Sequence, residues 1–322
     1  MKVTIIGAGA VGSACLTALV LRGCAREITV LDRDAKRAQG LVTDVQYGAA
    51  LSAPVDLRAG GYADVQGAEL VIITAGVNEK TGGATDRNDP EGRLRLLSTN
   101  VDIYKDILTQ LDAVAPETLV LVVTDPPDPL ADAVRLIGHA RTLSSGTYLD
   151  SLRFRFHLAR RLGVNPAAVS ASVLGEHGTS EVFMWSSVEV GGIPLASWLS
   201  RKGEADFEGY CRSIEGEVRY ANISIIDGIG ASQHGIGMVT ARIAEIILRD
   251  ERVVIPIGCY NADYGVTLSL PCVLGRGGVL ETVEPQMTPA ERQALQRSAA
   301  ALKSAVETRV APKLARHNVA GT

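Results

Sequence analysis

Apolar residues follow two different patterns along the chain. In the first half they form short unbroken runs: KVTIIG (2–7), EITVLD (27–32), ELVIITAG (69–76) and TLVLVVT (118–124). Runs of this length, rich in β-branched residues, predict strands of a parallel sheet covered on both faces. Between them apolar positions return every three or four residues, predicting helices over 11–23, 34–47 and about 93–114. Leu94, Leu97, Val101, Tyr104, Ile107 and Leu108 form the stripe of the last helix. A polar, Gly-rich segment at 77–92 precedes it. Strands alternating with helices imply an α/β, doubly wound domain.

The second half has a different rhythm. An amphipathic helix is predicted at 150–162, a strand at VSASVLG (169–175) and a hairpin over SEVFMWSSVEVGGIPL (180–195). Helices follow at 204–222 and 232–250, then strands at VVIPIGCY and VTLSLPCVLG. In MTPAERQAL, Thr288 is the expected N-cap of a last helix and Pro289 its first turn. The SSGT break places a boundary between a first domain, 1–147, and an α+β second domain, 148–322.

Composition narrows the class. With 322 residues there is room for two domains. A net charge of −4 argues against nucleic acid or an anionic membrane as the main partner. No apolar run approaches the roughly 18 residues of a spanning helix. The first residues enter a strand directly and lack the features of a signal peptide. Cys15, Cys24, Cys211, Cys259 and Cys272 are scattered without a CxxC, as expected of reduced core thiols in a cytoplasmic protein.

Between the first strand and its helix stands Gly7-x-Gly9-x-x-Gly12. Gly7 allows the turn, Gly9 lets the backbone approach a pyrophosphate, and Gly12 lets the helix pack close. The helix N-terminus offers N–H groups to phosphate. Asp32 ends the second strand, where a carboxylate can accept the adenosine ribose hydroxyls and repel a 2′-phosphate. NAD is therefore favoured over NADP.

Later residues suggest acid–base chemistry on an anion. In DSLRFR, Asp150 and Arg153 lie three apart on one helix face. In GEHG, His177 occupies a Gly-flanked turn. Arg93 opens the helix after the glycine-rich segment. Taken singly, each also reads as an ordinary surface group. GAGAVG, ITAG, EGRLRLLSTNV, DSLRFR, GEHG and NADYG, in this order over residues 2 to about 305, resemble the lactate/malate dehydrogenase family, closer to its lactate branch.

The resemblance implies an NAD-dependent L-2-hydroxyacid dehydrogenase with a Rossmann domain and a homodimeric or homotetrameric assembly, needing no metal. His177 would be the acid/base, Asp150 its orienting carboxylate, and Arg153 the bidentate grip on the substrate carboxylate. Arg93 would polarise the carbonyl from a closing lid. Gly7, Gly9, Val11, Gly12, Asp32, Thr74, Ala75, Gly76, Asn100 and Thr124 would line the cofactor. Ser232 would help set the side-chain size of the substrate, and its smallness suits one larger than pyruvate. His234 is expected to be a packing residue.

The sequence departs from the family pattern in places. The 77–92 segment is about eight residues longer than the usual lid. Arg87, six before Arg93, corresponds to the residue that meets a second carboxylate in malate enzymes, with Lys80 a competitor. A long lid equally suits a bulkier side chain. Asp125-Pro126 replaces the family's Asn-Pro. An ionised Asp125 can only accept a hydrogen bond, and it adds negative charge near His177. It could be neutralised by a neighbour, accept from a hydroxylated or amino-bearing substrate, or mark an NAD-binding paralogue with altered catalysis. Asp128 reads as a helix N-cap. Arg155 matches one residue of the family's sugar-bisphosphate effector site, but Ser170 replaces the other, so no such activation is expected. Relatives hydrolysing sugar phosphates need a Cys/His metal pair that is not evident here.

Overall fold

The computed structural model describes residues 1–83, 85 and 94–315. The first-half strands are β1 (Lys2–Ile6), β2 (Glu27–Leu31), β3 (Asp56–Ala59), β4 (Leu70–Ile73), β5 (Leu119–Val122) and β6 (Thr142–Ser144). They pair in parallel in the order β3-β2-β1-β4-β5-β6, the doubly wound topology. The helices between them are α1 (Ala10–Arg22), α2 (Ala35–Ala49), α3 (Leu94–Asp112) and α4 (Pro127–Ile137).

The two-residue period of a strand sorts its side chains between the two faces. Val3, Ile5, Ile28, Val30, Leu70, Ile72, Leu119 and Leu121 enter one core, and Ile6, Leu31, Val71, Ile73, Val120 and Val122 enter the other. All are buried. β3 and β6 escape the sequence pattern for physical reasons. β3 is a half-exposed edge strand without an aliphatic run, and β6 has only three residues.

The second half contains α5 (Tyr148–Leu162), β7 (Val169–Ser170), β8 (Val173–Leu174), β9 (Val182–Phe183), β10 (Glu189–Val190) and β11 (Ile193–Pro194). Next come α6 (Leu195–Lys202), α7 (Phe207–Arg219), α8 (Ala221–Ile229) and α9 (His234–Arg249). The chain continues through β12 (Val253–Asn261), β13 (Val266–Gly275), β14 (Gly278–Thr282) and α10 (Pro289–Ala305), which ends in a π-helical turn before α11 (Ala311–Ala315).

Several expectations need correction. The 180–195 segment is not one hairpin. β9 pairs with β8, a 3-10 turn at Trp185–Ser187 redirects the chain, and only β10 and β11 form a hairpin. Gly191 and Gly192, both at positive φ, form the two-residue turn that this hairpin requires. The 204–222 helix starts later, where Asp206 caps the N–H of Gly209, and breaks at Tyr220. β12, β13 and β14 extend the parallel sheet: β12 pairs antiparallel with β6 through Gly258 and Ser144. The sheet thus has nine strands among the described residues. Thr288 and Glu291 form a reciprocal capping box at the start of α10.

α9 returns from the second half to pack on α1. The helices approach closely at Gly237, where a Cβ would lie 2.7 Å from Ala14. This contact places the start of α9 beside the glycine turn. No helix among the described residues is long and apolar enough to cross a membrane. Cys15, Cys24, Cys259 and Cys272 are buried free thiols, and Cys211 is half-buried.

Candidate active site

The sheet order reverses between β1 and β4, which opens a crevice at their carboxyl ends. Gly7 leaves β1 at φ +113°, where a Cβ would lie 2.6 Å from the main-chain nitrogen of Ala75. A Cβ on Gly12 would lie 1.8 Å from the Gly7 carbonyl oxygen. These two glycines are required by the protein's own packing. Gly9 is not: no atom lies within 4 Å of where its Cβ would be. It caps α1 without a side-chain hydrogen bond, so the first N–H groups of the helix face the crevice. The cradle therefore fits a diphosphate.

One arm of the crevice, about 840 Å³, is lined by Asp32, Arg33, Gly60, Tyr62, Ile103 and Ile107 among others. Asp32 is held ready at its rim, accepting the N–H groups of Ala8 at 2.7 Å and Asp34 at 2.9 Å. The other arm, about 180 Å³, shares Gly9, Thr74, Gly76, Val77 and Asn78 with the first. It continues past Val11 and Thr124 to Asp125, Arg153, His177 and Ser232. The two arms thus form one crevice, with room for a nucleoside in the larger and the reacting groups in the smaller.

Ala75 lines the larger arm, and Thr74 donates to the Gly7 carbonyl oxygen at 2.9 Å. Asn100 lies behind the crevice rather than in it. It is fully buried, accepts from Val77 N–H at 2.8 Å and donates to the Asp125 carbonyl oxygen at 2.8 Å. Its amide therefore clamps the segment after β4 to the turn after β5. Gly12 likewise stays behind the surface.

His177 follows β8 and reaches the base of the small arm. Its Nδ1 donates to Asp150 Oδ2 at 2.5 Å, and Arg153 donates from Nη1 to Asp150 Oδ1 at 2.9 Å. One turn of α5 thus supplies both the carboxylate and the guanidinium. Nε2 faces the crevice, with Asp125 Oδ1 3.8 Å away. Asp125 precedes Pro126 through a cis peptide bond.

Asp128 is not an N-cap; Pro126 takes that position. Its carboxylate is fully buried and accepts the His177 N–H at 2.8 Å and the Ser144 hydroxyl at 2.5 Å. Burial pushes its pKa up to about 6, and the hydrogen bonds from His177 and Ser144 oppose that rise. The residue missed by sequence reading is therefore the one that anchors the turn carrying His177. Its signal, an acid in the first turn after proline, is indistinguishable from a capping residue.

Other lining residues missed in the sequence are Glu79, Ser145, Leu149, Asn222 and Ile236. Asn222 donates to Glu79 at 3.0 Å, joining α8 to the segment after β4. His234 is exposed at the start of α9 and is not a packing residue. Arg155 donates from Nε to the Ala171 carbonyl oxygen at 2.8 Å, and Ser170 is exposed. Arg87 and Arg93 lie outside the described residues.

The sheet, its glycine cradle and the polar group beyond it place the chain among NAD-dependent dehydrogenases. Residues 1–142 match the lactate/malate dehydrogenase NAD-binding domain, and 147–312 the lactate/malate dehydrogenase alpha/beta C-terminal domain. The chain belongs to the lactate/malate dehydrogenase family. It is 41% identical over 304 residues to an L-lactate dehydrogenase of Deinococcus radiodurans, covering 94% of this chain and 97% of that protein. It is 42% identical over 312 residues to the L-lactate dehydrogenase of Thermus aquaticus, covering 95% and 98%. Among solved structures, a lactate dehydrogenase from a Medee basin deep-sea metagenome library superposes with a TM-score of 0.87 at 32% identity, covering 95% of this chain and 98% of that one. The activity is NAD-dependent interconversion of 2-oxo and 2-hydroxy acids.

Proposed function

We propose that the protein reduces a monocarboxylic 2-oxo acid to the L-2-hydroxy acid, with His177 as proton donor. The observation that carries this reading is the Arg153–Asp150–His177 chain at the base of the small arm. NAD(H), when bound, supplies the hydride. Arg153 offers a planar pair of donors to the substrate carboxylate. Asp150 keeps the Nδ1 proton in place, so that Nε2 is the nitrogen that exchanges a proton with substrate. In reduction the carbonyl carbon gains the hydride while its oxygen takes the Nε2 proton, leaving a neutral imidazole. Oxidation runs the same transfers backward.

Glu79 and Asp125 among the lining residues favour a substrate without a second carboxylate. The L-lactate dehydrogenases among the relatives support the same choice. Arg93 as carbonyl polariser and Arg87 as a second-carboxylate selector belong to the lid and are proposals from the resemblance alone. Free thiols and dependence on NAD suit a cytoplasmic location. A homo-oligomer is proposed as well: Leu21 and Met238, 74% and 64% exposed, line an open groove between α1 and α9.

The test is NADH oxidation across pyruvate, oxaloacetate, 2-oxoisocaproate and phenylpyruvate, with His177→Ala alongside. Activity on pyruvate or the apolar acids, lost in the variant, is expected. Turnover of oxaloacetate alone would overturn the monocarboxylate reading and credit Arg87. Equal traces from wild type and variant would overturn the acid–base assignment.

A further inference from the structure

His177 stands between two carboxylates, not one. Asp150 takes its Nδ1 proton at 2.5 Å from α5. On the opposite edge of the ring, Asp125 Oδ1 lies 3.8 Å from Nε2. That separation is too long for a hydrogen bond, so Asp125 does not take the Nε2 position that a substrate oxygen would meet. It is short enough for strong charge interaction. The two side chains are 15% and 23% exposed, so water screens them only in part.

We propose that Asp125 acts as a second carboxylate partner of His177, holding the ring protonated through neutral pH. Reduction, which needs the imidazolium, then persists to higher pH, and the neutral ring needed for oxidation is withheld until more alkaline pH. The inference rests on His177 being the acid–base group of the proposed reaction.

Among the described residues, the charged groups around His177 are Asp150 and Arg153 of α5, Asp125 after β5, Asp128 of α4 and Glu176 beside it. Arg153 is engaged with Asp150, and Asp128 reaches the His177 backbone rather than the ring. Asp125 is the carboxylate at the nitrogen that delivers the proton. Its main-chain oxygen, held by Asn100, fixes the turn independently of the side-chain charge.

A positioning residue that works by charge makes a definite prediction. Asp125→Asn keeps the shape and removes the charge. Histidine ring resonances of the ligand-free protein, with His177 identified by His177→Gln, should show the His177 midpoint falling by about one pH unit or more in the variant, tenfold in proton affinity. The alkaline limb of kcat/KM for 2-oxo acid reduction should fall by the same amount. Asp125→Ser provides the same comparison if the first variant does not fold. An unchanged midpoint would overturn the proposal, as would an ordinary midpoint near ~6.5 in the wild-type protein. The ring titration needs no substrate. Absence of 2-oxo acid turnover would therefore count against the proposed reaction and leave the Asp125–His177 coupling to its own measurement.

Discussion

Asp128 accepts the main-chain N–H of His177 at 2.8 Å, while Asp125, three residues earlier, faces the ring of the same histidine at 3.8 Å. One turn of chain after β5 thus meets both the backbone and the ring of His177. A residue that fixes a backbone N–H within the site restrains where the ring can point, and sub-ångström errors there are costly.

Replacing Asp128 should change both rate and pH response. Asparagine can accept one of the two hydrogen bonds but not both. The Asp128→Asn variant should lose about tenfold or more in kcat as His177 loosens. The stability effect has a sign set by the raised pKa. Between the ordinary value of 3.8 and about 6 the folded protein binds the extra proton. Wild-type stability, measured against the variant, should therefore decline as pH rises from about 4 to about 6, by about 3 kcal/mol, and be level above that. Denaturant unfolding at several pH values measures it. A difference that is flat from pH 4 to 7 would contradict the buried ionisable role.

Arg153 tests the substrate end. Lysine keeps the charge and loses the fork. Arg153→Lys should raise KM for the 2-oxo acid by about 10- to 100-fold, the loss of one charge-assisted hydrogen bond, with NADH affinity unchanged. Fluorescence titration with NADH and steady-state kinetics separate the two. An unchanged KM would remove Arg153 from the carboxylate site.

Much of this arrangement was legible in the sequence, and the exceptions have physical causes. Long apolar runs such as KVTII announced the central strands because both of their faces are buried. Asp150, Arg153 and His177 could be connected only by resemblance, since 24 or more residues separate the histidine from the helix residues that meet it. Asp128 was hidden because a capping acid and a buried anchor look the same in one dimension. The backbone bonds of Asn100, expected at the cofactor, were not legible: its fully buried amide satisfies both of its ends on the main chain of Val77 and Asp125. The hairpin over 180–195 was overextended because Phe183 and Trp185 pack against Phe154, turning a seemingly continuous strand into the core.

Asp32 tests cofactor choice. Its carboxylate is fixed by the N–H groups of Ala8 and Asp34 at the rim of the larger arm, and Arg33 lies beside it. Asp32→Ser removes the acceptor and the negative charge together. The NADH KM should rise by about tenfold, and NADPH should become a usable reductant through Arg33. An unchanged NADH-to-NADPH preference would show that the ribose lies elsewhere.

The glycine turn separates packing from ligand binding within six residues. A Cβ at Gly12 would collide with the Gly7 carbonyl oxygen at 1.8 Å, backbone against side chain, with no flexible group to yield. Gly12→Ala should therefore destabilise the protein itself, by more than about 1 kcal/mol, because the β1–α1 turn must move. A Cβ at Gly9 meets no protein atom within 4 Å, and φ there is −75°. Gly9→Ala should fold with wild-type stability. Yet if the cofactor diphosphate passes over that position, the added methyl occupies its path, and NADH affinity should fall by at least about tenfold. Thermal unfolding without ligand, paired with NADH titration, distinguishes the two glycines. Equal loss of stability in both variants would mean that Gly9 serves the fold, and unchanged NADH affinity in Gly9→Ala would move the diphosphate off this turn.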